Sequence, residues 1–170
     1  FELCVRGGAN AGKTYSLADK NLLQAILQPD KPIKILCIRK TFPALRNSVV
    51  DILKKRAEAL KLPLHINENK WIGKCNNIEF VFLSLNNKED YQKIMSITDV
   101  DFEWINEIQD LSENDYKMLT SRVRGGKSSY SQVMFDFNPM GKTSWVYKRF
   151  FEKNISLSEQ PVKKLHYTVL

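Results

Sequence analysis

The segment Gly7-Gly8-Ala9-Asn10-Ala11-Gly12-Lys13-Thr14 constrains this chain more than any other. It fits the spacing G-x-x-x-x-G-K-[ST], in which glycines let the backbone wrap an anion with its N–H groups turned inward. The pattern carries weight only where a strand delivers the loop and a helix leaves it. Both flanks qualify. Phe1 to Arg6 is a short apolar run of strand type, and from Gly12 to Gln28 the residues Leu17, Leu22, Leu23, Ile26 and Leu27 recur at helical spacing. The start of that helix adds its own field to the loop's donors. All eight residues, Gly7 through Thr14, are therefore expected to hold a nucleoside triphosphate. Lys13 is placed for the β- and γ-phosphates, and the Thr14 hydroxyl for Mg2+. A chance glycine-rich loop is the alternative, and the flanking strand and helix argue against it.

The remaining segments alternate in the same way. Strands are expected at Ile33 to Arg39, Val100 to Ile105, Ser131 to Phe137 and Val162 to Leu170. Helices are expected at Pro43 to Leu62, Asn87 to Ile97, Ser112 to Val123 and Ser144 to Lys153, with Ser112 as an N-cap ahead of Glu113 and Asp115. Leu64 to Leu85 has the pattern of two or three antiparallel strands, with Asn76-Asn77 at a turn. Strand–helix alternation predicts an α/β layer fold around a mainly parallel sheet, with antiparallel strands added. The 170 residues are expected to form one domain, with no repeat or linker.

Composition excludes some classes. With 43% hydrophobic and 26% charged residues the chain is not disordered. Its longest apolar runs, such as Ile35 to Ile38, fall far short of the roughly 20 residues of a membrane span. Cys4, Cys37 and Cys75 share no metal-ligand or redox spacing and are expected to be reduced thiols. The net charge of +7 suits a polyanionic partner. No signal-peptide pattern is present, and a chain beginning at Phe1 is expected to be an excerpt.

Two further groups belong at the carboxyl ends of strands, where ligands bind in open α/β sheets. Trp104-Ile105-Asn106-Glu107 ends an apolar strand in a polar pair. Glu107 is the candidate that polarises an attacking water; a helix-capping role is the alternative. Asn106 stands where an aspartate usually supports Mg2+ through water, and it brings no charge. An aspartate at 106 is expected to be tolerated. Phe135-Asp136-Phe137-Asn138-Pro139 ends a second strand, placing the Asn138 amide where it could sense the γ-phosphate; an ordinary Asn-Pro turn is the alternative. Asp101 and Glu103 are expected on the strand surface.

Together these segments resemble the large terminase subunit of tailed bacteriophages. The resemblance runs through the loop, Ile38-Arg39-Lys40-Thr41, Leu45-Arg46-Asn47-Ser48, Trp104-Ile105-Asn106-Glu107, Arg122-Val123-Arg124-Gly125, Phe137-Asn138-Pro139 and Trp145-Val146-Tyr147-Lys148-Arg149-Phe150, with His166-Tyr167-Thr168 near the end. It implies a three-layer P-loop NTPase fold of the ASCE, RecA-like type, with the catalytic carboxylate on a neighbouring strand. It also implies an ATP- and Mg2+-dependent motor that drives double-stranded DNA into a procapsid in the host cytoplasm. Its partners would be a portal protein, a small terminase subunit and further copies in a ring. The family's adenine-contacting segment would precede Phe1 and its nuclease domain would follow Leu170. No nuclease activity is assigned to this chain. A helicase-like DNA-dependent ATPase and a nucleotide-gated binding module that hydrolyses poorly are the competing functions.

The family often carries an arginine inside the loop, and Ala9, Asn10 and Ala11 leave none here. Arg6 lies one residue before the loop. Arg124 is the leading candidate for an arginine supplied to a neighbouring copy, with Arg122 beside it; Arg39 and Arg46 are second candidates, expected nearer DNA or the adjacent subunit. All four as surface or DNA-contacting charges is the alternative.

Overall fold

In the computed structural model, which describes residues 2–152 and the strand Lys164–Thr168, the chain alternates as follows. Strand β1 (Glu2–Arg6) leads through the loop to α1 (Lys13–Leu27) and β2 (Ile33–Arg39). Helix α2 (Phe42–Leu45), a π-helical turn (Arg46–Val50) and α3 (Asp51–Ala59) come next. Strands β3 (Leu64–Asn67), β4 (Ile72–Cys75) and β5 (Ile78–Ser84) precede α4 (Lys88–Ser96) and β6 (Phe102–Ile105). The chain continues with a 3-10 turn (Ile108–Asp110), α5 (Glu113–Thr120), β7 (Gln132–Phe137), α6 (Trp145–Phe150) and β8 (Lys164–Thr168). Phe1, Lys153, Val162, Lys163, Val169 and Leu170, which the sequence assigns to elements, lie outside the described residues.

One eight-stranded sheet runs β3-β4-β5-β2-β6-β7-β1-β8. The strands from β5 to β8 in that order are mutually parallel, and β3 and β4 add the antiparallel pairs. The loop strand β1 does not touch β6, so the candidate carboxylate Glu107 does not follow a strand adjacent to the loop strand, as the resemblance implied, but one strand further away. β7 lies between them, so the end of β7 sits between the loop and the end of β6.

Helices cover both faces, which explains near-continuous apolar strands such as Ile33-Lys34-Ile35-Leu36-Cys37-Ile38. Alternate residues serve opposite cores. Ile35, Cys37, Phe102, Trp104 and Met134 pack with Leu17 and Leu22 of α1 and Leu53 of α3. Leu36, Ile38, Ile105, Val133 and Phe135 pack with Ile94 of α4, Tyr116 and Leu119 of α5, and Val146 of α6. Cys4, Cys37 and Cys75 are free and buried. Burial pushes the Cys4 thiol up to about 12, with Glu2 adding to the effect.

Several local signals are realised. Ser112 caps α5 in a reciprocal capping box with Asp115, and the Asn87 side chain accepts from the Asp90 N–H to start α4. Asn76 turns the β4–β5 hairpin at φ 52°.

Two further expectations fail. The segment from Pro43 to Leu62 is not one regular helix; the π-helical turn interrupts it. Val49 and Val50 of that turn are both buried in the core. Asp101 and Glu103 are not surface groups but are 1% and 0% exposed. A sheet covered on both faces has no outward side for alternating charges. Asp101 accepts from Lys34 N at 2.8 Å and Ser128 N at 2.6 Å. Glu103 has no hydrogen-bond partner for either carboxylate oxygen among the described residues.

Candidate nucleotide site

β1 stops at Arg6, and the chain turns across the end of β7 with Gly7 N donating to Phe137 O at 3.4 Å. Asn10 and Gly12 take left-handed backbone angles, φ 63° and 78°, before α1 begins at Lys13. Glycine is required at 12 because few other residues hold that φ cheaply. At Gly8 the protein makes no such demand, since an added Cβ would meet nothing within 4 Å. That open space suits a backbone that wraps a bound group. The loop residues from Ala9 to Tyr15, with Ile52, Glu107 and Asn138, line a cleft of about 420 Å3.

Lys13 lies beneath the loop, 6% exposed. Its Nζ donates to Gly7 O at 3.0 Å, Gly8 O at 2.9 Å and Asn138 Oδ1 at 2.9 Å. Asn138 Nδ2 donates to Glu107 Oε2 at 2.9 Å, and Gln109 Nε2 donates to the same oxygen. Lys13, Asn138 and Glu107 thus form one hydrogen-bonded line from the loop across the end of β7 to the end of β6. Glu107 itself holds a left-handed backbone, φ 55° and ψ 58°. Thr14 borders the cleft.

Asn106 lies behind this line, 1% exposed. Its Nδ2 donates to both oxygens of Asp136 at 2.9 and 3.0 Å, and its Oδ1 accepts from Ser48 Oγ at 3.2 Å. Arg39 Nη1 in turn donates to Ser48 Oγ at 2.8 Å and Ala44 O at 3.3 Å. Asp136, fully buried, also accepts from Trp104 Nε1 and from the Glu107 N–H, both at 3.1 Å. Burial pushes its carboxyl above the usual range, and the bonds from Asn106, Trp104 and Glu107 oppose that shift.

The structure therefore gathers Lys13, Thr14, Glu107 and Asn138 at the cleft, places Asn106 beneath it, and separates Arg124. Arg124 adjoins Gly125, which bridges Val100 ahead of β6. That is the amino-terminal edge of the parallel strands, opposite the loop. Arg124 cannot reach its own cleft from there. Arg122 Nη1 donates to Met95 O at 3.2 Å, and the Arg6 guanidinium lies 5.3 Å from the Phe151 ring centre. Arg39 is turned onto the π-helical turn. Sequence reasoning missed Asp136, Ser48 and Gln109. Asp136 did leave a trace, as an acid in the middle of the otherwise apolar Val133 to Phe137.

The family model described as phage terminase large subunit matches residues 2–169. The PBSX phage terminase large subunit of Bacillus subtilis (strain 168) is 24% identical over 148 residues, 85% of this chain and 33% of that protein. The large terminase of a thermophilic bacteriophage superposes with a TM-score of 0.81 at 19% identity, over 98% of this chain and 40% of that one. The same terminase in complex with ATP-gamma-S gives 0.78 at 19% identity, over 99% and 39%. The N-terminal domain of the DNA packaging ATPase from bacteriophage phi29 gives 0.67 at 10% identity, over 99% and 89%. The chain thus spans about a third of the PBSX protein and two-fifths of the thermophilic phage protein. At these identities the superpositions establish the fold. The family match extends from β1 to the end of the sheet and includes every residue of the cleft. The chain belongs to the phage terminase large subunit family.

Proposed function

We propose that this chain is the ATP-hydrolysing motor domain of a DNA-packaging terminase, moving double-stranded DNA into a procapsid. The observation that carries the proposal is the line Lys13–Asn138–Glu107, which joins a triphosphate-binding loop to a carboxylate through a neutral amide. The thermophilic phage terminase in complex with ATP-gamma-S and the phi29 DNA packaging ATPase share the fold. Motion over any sequence calls for phosphate rather than base contacts on the DNA.

Each residue has a task. The loop N–H groups and the start of α1 hold the triphosphate. Lys13 exchanges its present acceptors, Gly7 O, Gly8 O and Asn138 Oδ1, for β- and γ-phosphate oxygens. Asn138, released by Lys13, turns its amide to the γ-phosphate and loosens its hold on Glu107. Glu107 then accepts from the attacking water and orients it. Thr14 would hold Mg2+ through its hydroxyl, and the ion would supply charge neutralisation for the triphosphate. Asn106 supports that side of the cleft from beneath. Pro139 and α6 follow Asn138 in the chain and carry its displacement outward. A homo-oligomeric ring, a portal protein, a small terminase subunit and the host cytoplasm are the setting this function requires.

The test compares Lys13→Ala and Glu107→Gln in the complete protein. Lys13→Ala is expected to lose turnover through lost charge stabilisation. Glu107→Gln is expected to bind ATP and hydrolyse it about 10²–10⁴-fold more slowly. Normal hydrolysis by either variant refutes its assigned role. Turnover unaffected by DNA would favour a nucleotide-gated module over a motor.

A further inference from the structure

We propose that Asp136 is the positioning residue for the catalytic carboxylate, and that it carries, one strand over, the negative charge that position 106 lacks. The proposal rests on the reading of Glu107 as the residue that orients the attacking water.

Asp136 is fully buried on β7, yet three side-chain and backbone donors from β6 and its end converge on it. Asn106 Nδ2 contacts both its oxygens, at 2.9 and 3.0 Å. Trp104 Nε1 reaches Oδ2 and the Glu107 N–H reaches Oδ1, each at 3.1 Å. The last contact matters most for the site. Glu107 stands at φ 55° and ψ 58°, a conformation costly for a residue with a Cβ, and its side chain reaches Asn138 from that backbone. A charged acceptor on its N–H fixes this conformation better than a neutral one. Asp136 therefore acts on Glu107 through the backbone and touches no substrate.

The charge placement follows from the same contacts. The end of β6 carries Asn106, which is neutral, beside the acid Asp136 on β7. The asparagine donates to a carboxylate beside it, so the pair holds one carboxylate and one amide, the amide on β6 and the carboxylate on β7. Ser48 Oγ on Asn106 Oδ1 completes the amide's contacts. This reverses the sequence expectation for Asn106→Asp. With Asp136 intact, that substitution sets two carboxylates against each other in a buried site, where both cannot ionise cheaply. It also removes the donor that Asp136 uses.

The test is a charge swap in the complete protein, with steady-state ATP hydrolysis, ATP-gamma-S affinity and thermal unfolding measured on each variant. Asp136→Asn is expected to lower kcat by about 10²-fold, the scale of a misplaced catalytic group, while ATP-gamma-S affinity changes little. Asn106→Asp is expected to lose activity to a similar extent. The double variant N106D/D136N restores one carboxylate and one amide in reversed order. It is expected to recover kcat to within about tenfold of the parent, since residues in contact are strongly coupled. A double variant that fails to fold, or that stays as slow as the single variants, overturns the proposal. So does Asp136→Asn at the parent's kcat. Glu107→Gln serves as the control. If it is slow while Asp136→Asn is normal, only the role of Asp136 fails. If it turns over normally, the reading of Glu107 fails and the proposal fails with it.

Discussion

Replacing Glu103 by methionine should make folding stability almost independent of this site's protonation, and the size of the effect follows from burial. The Glu103 carboxyl is 0% exposed on β6, and neither oxygen has a hydrogen-bond partner among the described residues. Burial pushes it up from 4.5 to about 8, and the Arg122 guanidinium only partly opposes this. Between those two values the folded chain holds a proton that the unfolded chain has released. Stability therefore falls as pH rises through this window, is fully present below 4.5, and levels off above about 8. At about 1.36 kcal/mol per pH unit, the loss between pH 5 and pH 9 comes to about 4 kcal/mol. That is a large fraction of the ~5–15 kcal/mol that holds a domain together. The assay is equilibrium urea unfolding of parent and Glu103→Met at pH 5, 6.5, 8 and 9, followed by tryptophan fluorescence. Taking the difference between the two proteins at each pH cancels all other titrating groups. The difference should move in favour of the variant by about 4 kcal/mol across the range. A difference constant to within about 1 kcal/mol would refute the reasoning, because it would require Glu103 to be as easily charged in the fold as in water.

Asn138→Ala should retain ATP-gamma-S binding and lose DNA movement more completely than hydrolysis, measured by a packaging assay beside phosphate release; packaging at the parent's rate reduces Asn138 to a turn residue. Gly126→Ala should destabilise the fold by about 1–3 kcal/mol in urea unfolding. An added Cβ there would stand 2.2 Å from Asp101 Oδ1 and 2.9 Å from its Cα, and an unchanged midpoint would show that this strand end yields freely. Arg124 lies on the far edge of the sheet from its own cleft, so any catalytic service must go to a neighbouring copy. Mixing a Glu107→Gln chain with an Arg124→Ala chain, each nearly inactive alone, should recover part of the ATPase activity. No recovery in a proven mixed ring, or full activity in a dilute monomer, rules this out.

The sequence by itself determined the elements that depend on neighbours along the chain. The glycine loop is readable because its φ demands and its lysine fall within eight consecutive residues. The cap at Ser112 is readable because a cap acts on N–H groups two or three residues on. Glu107 and Asn138 could be placed at one sheet edge because each follows an apolar run that points the same way. Tertiary structure decided what depends on distant segments meeting. That β7 lies between β1 and β6 is a matter of strand order, which no local pattern encodes, and it alone makes Asn138 the link between Lys13 and Glu107. Asp101 and Glu103 were misplaced because period-2 alternation implies a wet face, whereas helices cover this sheet on both sides. The π-helical turn also escaped the sequence, whose helical spacing runs through it unbroken, and its contact from Ser48 to Asn106 joins segments far apart in the chain. Asp136 was legible only as an oddity in an apolar strand. Its meaning came from donors on a different strand, about thirty residues earlier in the chain. A buried charge takes its role from the partners the fold brings to it.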